Sequence, residues 1–435
     1  MKYRFIRKGI LFCGDIFLIF FSLYLTLFLR WGKLVAPRVF IYFAKQFLFI
    51  FLFWIFLFFV FDFYSLQTRN SKEFSFFRYF FIFVFLAIFS GIFYFYISPS
   101  TSIAPKTILF LDIFIFSLAF LCWHLFWDLV FGRYIKKERI IFWGDFPERE
   151  FLINFIKNSK PIYKIIGVFP KNKEISEIKK IIREKNVDRV ILSPEIENFN
   201  ELFFSFPSVE IEGFANFYER TTQRFPLSSL EDPNILSEFL KEEDKIYSIL
   251  KRGFDIFWGL IGFLFFILTF PLIAFFIKIT SRGPIFFIQK RFGKDRKVFN
   301  SFKYRSMYHL ENQRQDEIWR EKNKKEITIA GKFLRFTHFD ELPQFINILK
   351  GDLSLIGPRP EWEKIGKIYE KEIPFYYLRY KSKPGFTGWA QINYPPSTSV
   401  KEAKEKFEYD LYYIKNRSFL FDIVIFLKSL RKIFG

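Results

Sequence analysis

A chain of 435 residues with 70 Phe, a 51% hydrophobic fraction and a formal charge of +21 is too long for one ordinary core and too apolar beside its charge for a single soluble domain. Cys13 and Cys122 lie inside apolar runs, which excludes a disulfide framework or a Cys-rich metal site, and the three scattered histidines, His124, His309 and His338, exclude a zinc centre. The positive balance fits membrane lipids or phosphorylated substrates; because basic residues flank apolar runs, no nucleic-acid partner is expected.

Apolar runs occupy 10–29, 40–63, 76–97 and 108–131, each near the ~20 residues an α-helix needs to cross a bilayer core. The first is too long for a signal peptide and lacks a small-residue cleavage site, so it reads as a retained helix. Lys2, Arg4, Arg7 and Lys8 precede it; Arg69, Lys72 and Arg78 separate the second run from the third; Arg133, Lys136, Lys137 and Arg139 follow the fourth. This charge pattern puts both ends of a four-helix transmembrane region, 1–135, in the cytoplasm, with Arg30, Lys33 and Arg38 as the exception. Asp15, Asp62 and Asp112 either mark a transport path or face helix neighbours and the interface.

Over 136–232 short apolar strands (Ile140–Trp143, Ile165–Phe169, Val190–Leu192, Val209–Ile211) alternate with helical stretches (Phe151–Asn158, Ile175–Lys185), the rhythm of a small Rossmann-like α/β domain. A dinucleotide turn needs G-x-G-x-x-G after its first strand. Here Gly144 stands alone, followed by Asp145 and Glu148, which repel phosphate. A structural or regulatory domain without cofactor is therefore expected rather than a cofactor-binding one. A linker, 233–250, follows.

Phe254 to Ile277 is long enough to span, with Pro271 two-thirds of the way along and Lys251, Arg252, Lys278 and Arg282 at its ends. Proline removes a helix hydrogen bond and crowds the carbonyl of Ile267, so a bend is expected. A re-entrant helix over 254–277, leaving on the side it entered, satisfies charge, proline and length together; a kinked simple span is the alternative.

Beyond 281 a hairpin is predicted from Ile285–Gln289 and Val298–Phe302. It ends in Lys303-Tyr304-Arg305-Ser306-Met307, where alternation puts two cations on one side to grip phosphate oxygens. Further on, Leu342, Phe345, Ile346 and Leu349 are spaced as one helix face, with Pro343 in the first turn and Gly351 as the stop. That places Asp340 and Glu341 at the positive end of the helix, where backbone amides favour carboxylates and phosphates. Gly357-Pro358-Arg359-Pro360 holds one guanidinium in a fixed pose, and Lys383-Pro384-Gly385-Phe386-Thr387-Gly388-Trp389-Ala390-Gln391 is a polar-tipped loop. The tail, Phe419 to Phe434, suits an interfacial amphipathic helix, its apolar face opposite Lys428, Arg431 and Lys432.

With Lys251-Arg252-x-Phe254-Asp255 and Gly283-Pro284, these motifs occur in one order, and residues 251–435 resemble the catalytic region of the polyprenyl-phosphate glycosyl-1-phosphate transferases, the bacterial sugar transferase family. The preceding spans and α/β insert resemble the family's large form, which initiates exopolysaccharide, capsule or O-antigen synthesis. Phe217-Tyr218-Glu219-Arg220 and Phe225-Pro226-Leu227 resemble that form's linker. The resemblance implies an α+β catalytic domain, multi-pass in the bacterial inner membrane with its catalytic face in the cytoplasm. It implies Asp340 as the nucleophile toward a UDP-sugar, with UMP released, and Glu341 as the ligand of Mg2+. Lys303, Arg305, Arg335, Arg359 and Gln391 become the substrate-binding set, and undecaprenyl (polyprenyl) phosphate the acceptor; a homodimer stays open. Phe270 and His338 stand where the family often has serine, and Tyr394 where glycine commonly follows Gln-x-Asn.

Two rival readings are a membrane-anchored sugar-nucleotide dehydratase or epimerase, which would use a Tyr-x-x-x-Lys pair such as Tyr247–Lys251 or Tyr377–Lys381, and a non-catalytic polysaccharide export or assembly component. The first lacks the glycine fingerprint. Only a transferase makes a lipid diphosphate product.

Overall fold

The computed structural model describes residues 2–60, 63, 87, 90–91, 106–131, 137–159, 163–193, 195–196, 204, 207, 209–308, 327–395 and 399–434. Most of the apolar run at 76–97, and Asp62, lie outside the described residues. Among the described residues four helices are long and apolar enough to cross a membrane, with spans at 9–31, 37–58, 107–127 and 245–280.

The first three, α1 (Lys2–Trp31), α2 (Pro37–Val60) and α3 (Lys106–Phe131), share a core of Leu23, Phe47, Trp54, Phe116 and Phe120. Polar groups tie α1 to α3. His124 Nε2 lies 3.0 Å from Asp15 Oδ1, and Ser22 Oγ donates to Asp112 at 2.7 Å. Both aspartates therefore face helix neighbours.

The α/β domain is built from β1 (Glu138–Trp143), α4 (Arg149–Ser159), β2 (Tyr163–Phe169), α5 (Ile175–Lys185), β3 (Arg189–Leu192), β4 (Glu210–Gly213) and α6 (Phe214–Thr222). Its sheet runs β2-β1-β3-β4 and is parallel throughout. Residues of β1 alternate between two cores, Ile140 and Phe142 on one face and Ile141 and Trp143 on the other, as a sheet covered on both sides requires. After β1 comes Gly144 with φ +108°, where a Cβ would sit 2.3 Å from Ser193 Cβ, so the turn needs glycine for its own packing. Glu148 accepts from the Ser228 amide (3.1 Å) and hydroxyl (2.7 Å), and Tyr218 donates to Glu408 at 2.7 Å, which docks this domain on the C-terminal body. The stretch read as a linker carries α7 (Pro233–Leu240), whose Phe239 is buried in the C-terminal core with Phe225, Leu230, Trp389 and Phe407.

The spine of the C-terminal body is α8 (Lys245–Thr280). Asp244 caps it by accepting from the Tyr247 amide at 2.9 Å. The helix continues through Pro271, so the proline does not end it. One face is bound to the body along the whole length. Lys251 donates to Asp422 (2.7 Å) and the Ile356 carbonyl (2.8 Å), and Asp255 accepts from the Ser354 hydroxyl and Leu355 amide, both at 2.9 Å. Beyond them, Phe266, Ile273 and Ile277 share a core with Tyr304, Leu334 and Leu342. The other face, including Leu260, Leu264, Leu268, Leu272 and Phe275, is exposed. Tyr247 and Lys251, spaced like a dehydratase pair, are thus consumed in a buried network with Asp422 and Tyr413.

Against α8 lie the hairpin β5 (Phe286–Phe292) and β6 (Val298–Tyr304), α9 (Ile329–Phe336), α10 (Gln344–Lys350), α11 (Glu363–Glu372), the parallel pair β7 (Ser354–Ile356) and β8 (Gly385–Thr387), α12 (Trp389–Asn393), α13 (Val400–Asn416) and α14 (Phe419–Phe434). Helix α14, expected at the lipid interface, packs on two protein bodies: Ile425 and Phe426 join the C-terminal core, Val424 and Leu427 the helical bundle.

Helix α10 comes close to α8 only because Gly259 and Gly262 lack side chains. A Cβ on Gly262 would lie 2.2 Å from the Phe345 ring. Gly262→Ala should cost about 1–3 kcal/mol through overpacking, read as a lowered thermal unfolding midpoint in detergent; an unchanged midpoint would mean that α10 can shift freely.

Candidate active site

Helix α10 ends at Gly351, which takes the left-handed conformation (φ 89°) that glycine adopts without penalty. Arg252 of α8 donates to the last carbonyls, Ile348 and Leu349, at 2.7 Å each. The face expected to be buried, Leu342, Phe345, Ile346 and Leu349, lies toward α8, but a second face is buried more deeply. Asn347, fully buried, accepts from the Phe302 amide (3.1 Å) and donates to the Asn300 carbonyl (2.7 Å). This side chain pairs with β6 as a strand would and sets the height of Lys303.

Asp340 and Glu341 lie in a 3-10 turn, Phe339–Glu341, entered through His338 in the left-handed region (φ 59°). Histidine tolerates that region better than most residues. The Glu341 amide bonds the His338 carbonyl at 3.2 Å. The carboxylates thus precede α10 rather than sit on its first amides, and side-chain cations do the work expected of the helix end. Lys303 Nζ and Arg359 Nη2 each donate to Glu341 Oε1 at 2.6 Å. Burial opposes the Glu341 charge, but Arg359 and Lys303 outweigh it and hold the carboxyl well below the usual carboxylate range. For Asp340 the balance is reversed. Burial raises its pKa, Lys303 offsets part of the rise, and the neighbouring Glu341 charge adds to it. Two adjacent carboxyls therefore have opposite tendencies: one is a fixed anion clamped between cations, the other a half-buried group with its charge less satisfied.

Arg335, on the last turn of α9, donates from Nε to Ser306 Oγ at 2.9 Å, and its charge favours the ionised form of Asp340. Lys303, Arg335, Arg359, Asp340 and Glu341 are thus brought together. Arg305 is not. Its guanidinium donates to the Ser281 carbonyl at 2.9 Å and to the Arg282 carbonyl, closing the C-terminal end of α8. Lys303 and Arg305, expected to grip phosphate together, go to different partners: the Arg305 amide continues the hairpin pairing to the Ile285 carbonyl at 2.8 Å, but its guanidinium is committed to the carbonyls that end α8. Gln391 lies on α12 beside Gly388, which packs against the Gly357 carbonyl, under the loop that carries Arg359. Sequence reasoning passed over Asn347 and gave no separate role to Ser306, a member of the strand-end motif; a polar residue on an apolar helix face was the available sign of the first.

Two adjacent carboxyls and three cations thus meet beside a helix long and apolar enough to cross a membrane. Residues 246–435 match the family described as bacterial sugar transferase. The exopolysaccharide production protein PSS of Rhizobium leguminosarum bv. phaseoli is 37% identical over 182 residues, covering 41% of this chain and 91% of that protein. The UDP-N-acetylgalactosamine-undecaprenyl-phosphate N-acetylgalactosaminephosphotransferase of Aeromonas hydrophila is 40% identical over 188 residues (43% of this chain, 44% of the relative). The UDP-glucose:undecaprenyl-phosphate glucose-1-phosphate transferase of Escherichia coli K12 is 42% identical over 184 residues (41% and 39%). The chain thus spans less than half the length of these last two relatives. It belongs to the bacterial sugar transferase family.

Glu341→Gln should lower stability by about 2–4 kcal/mol, because it leaves Lys303 and Arg359 facing a neutral group in a mostly buried place. Thermal unfolding in detergent reads this; a midpoint equal to wild type would show that the two cations find water instead.

Proposed function

We propose that the chain transfers a sugar 1-phosphate from a UDP-sugar to undecaprenyl (polyprenyl) phosphate, releasing UMP, as the first step of bacterial surface polysaccharide synthesis. The observation that carries this reading is the contrast between Asp340 and Glu341, adjacent carboxyls of which only Glu341 is neutralised by direct contact with Lys303 and Arg359. Asp340, with its charge less satisfied, attacks the sugar-bearing phosphorus; the bond from that phosphorus to the bridging oxygen breaks, and UMP leaves with that oxygen. An oxygen of polyprenyl phosphate then attacks the same phosphorus, and Asp340 departs as a carboxylate with the lipid diphosphate-linked sugar complete. Arg335 and Arg359 offset phosphate charge, and Lys303 keeps the pair ionised.

Glu341 supplies a hard, anionic oxygen of the kind that Mg2+ takes when its other ligands are water and substrate phosphates. Mg2+ bound at Glu341 would neutralise the diphosphate and polarise its oxygens.

The reading places the site on the cytoplasmic face of the inner membrane, with α8 re-entrant. Its support is that one body packs against α8 at Lys251 and Asp255 and again at Phe270 and Ile277, while the opposite face is bare and apolar. A straight span would require that body to follow the helix through the bilayer.

Asp340→Asn should abolish formation of labelled lipid diphosphate-sugar from UDP-glucose or UDP-N-acetylgalactosamine, since an amide is no nucleophile at phosphorus; turnover near wild type would sink the covalent route. A single cysteine replacing Lys294 in a Cys-free background should resist labelling from the periplasm, and periplasmic labelling would show that α8 spans.

A further inference from the structure

The loop bearing Arg359 is held at five successive residues. The Gly357 amide donates to the Thr387 carbonyl (2.9 Å), the Pro358 carbonyl accepts from the Gly385 amide (2.9 Å), and the Glu361 carbonyl accepts from the Phe292 amide (3.2 Å). The two carbonyls between them are taken by side chains. Arg379 Nη2 donates to the Arg359 carbonyl at 2.9 Å, and the Arg291 guanidinium donates to the Pro360 carbonyl. Prolines at 358 and 360 have no N–H of their own, and buried carbonyls need a donor from somewhere.

Both guanidiniums are buried, which is costly unless acids answer them. Arg379 meets Asp410 at 2.9 Å and Glu361 at 3.3 Å, and Lys406 meets Glu361 at 2.9 Å. Burial works against the Glu361 charge, yet Lys406 and Arg379 prevail and bring its carboxyl down to about 2. An apolar filling of the same volume would often serve stability as well. What a guanidinium adds is a planar fork that fixes direction as well as charge.

We propose that Arg379 and Arg291 are positioning residues that clamp the Arg359 and Pro360 carbonyls and so aim the Arg359 guanidinium at Glu341 and the substrate phosphates. This rests on the proposed transferase reading, in which Arg359 offsets phosphate charge. Lysine at 379 keeps the positive charge for Asp410 and Glu361 but loses the fork, so the loop is free to drift; a displacement near 1 Å at a reacting group costs on the order of 10²-fold in rate.

The test is a double-mutant cycle on the full chain in detergent or nanodiscs, using radiolabelled transfer from a UDP-sugar to polyprenyl phosphate, with thermal unfolding alongside. Arg379→Lys should lower kcat/KM by roughly 10-fold to 10²-fold with an unfolding midpoint close to wild type, and should cause no further loss in an Arg359→Ala background. Equal losses in both backgrounds, or full activity in Arg379→Lys, would overturn the positioning role. Wild-type transfer by Arg359→Ala alone would instead overturn the role given to Arg359. Should Arg379→Lys fail to fold, Arg291→Lys runs the same cycle with the same two outcomes.

Discussion

Helix α8 has one face packed on protein and one apolar and exposed, and the elements that bring together the site are set by the first. Arg252 closes α10 from it, Gly259 and Gly262 let α10 approach, and Phe266 and Phe270 meet the hairpin at Tyr304 and Phe286. Because the carboxylate turn leads directly into α10 and Lys303 ends the hairpin, the distance between Asp340 and its cations follows from packing on this helix. A helix long and apolar enough to cross a membrane is therefore also the scaffold of the candidate site.

On that scaffold, electrostatics sorts two neighbouring carboxyls. Glu341 is surrounded on one oxygen by Lys303 and Arg359 and stays ionised against burial; Asp340 is half-buried and has no comparable clamp. Burial lowers the pKa of Lys303, while Glu341 is the largest influence holding it up. The hairpin, the carboxylate turn and the Arg359 loop are thus joined through one carboxylate. Displacing any of the three changes the charge seen by the other two.

The α/β domain meets this body through a different set of contacts. Arg224 lies over the rings of Phe151 and Tyr409, 4.5 Å from each centroid, and within 3.6 Å of Glu405 and Glu408. Glu148, in the turn where a dinucleotide would need space for phosphate, is instead committed to Ser228. The crevice-side acid of this sheet serves docking.

Much of the architecture was legible because it is local and periodic. Runs at 10–29 and 108–131 lie in α1 and α3, and the run that begins at 40 is in α2 as far as Val60; the strands of the parallel sheet and the helix Ile175–Lys185 fall where alternation and 3.6-residue spacing put them; Gly351 stops α10. The Asp340–Glu341 pair and its motif order could be read the same way. What the tertiary structure alone decided is which charge meets which. Lys303 and Arg305 are both basic and two residues apart at the end of the hairpin, yet one meets Glu341 and the other the carbonyls ending α8. Arg291 and Arg379, unremarkable in the sequence, hold the Arg359 loop from 69 and 20 residues away. Periodicity reports which face of an element is buried, but an ion pair depends on the separation of two side chains on different elements, and that distance exists only once the elements have packed.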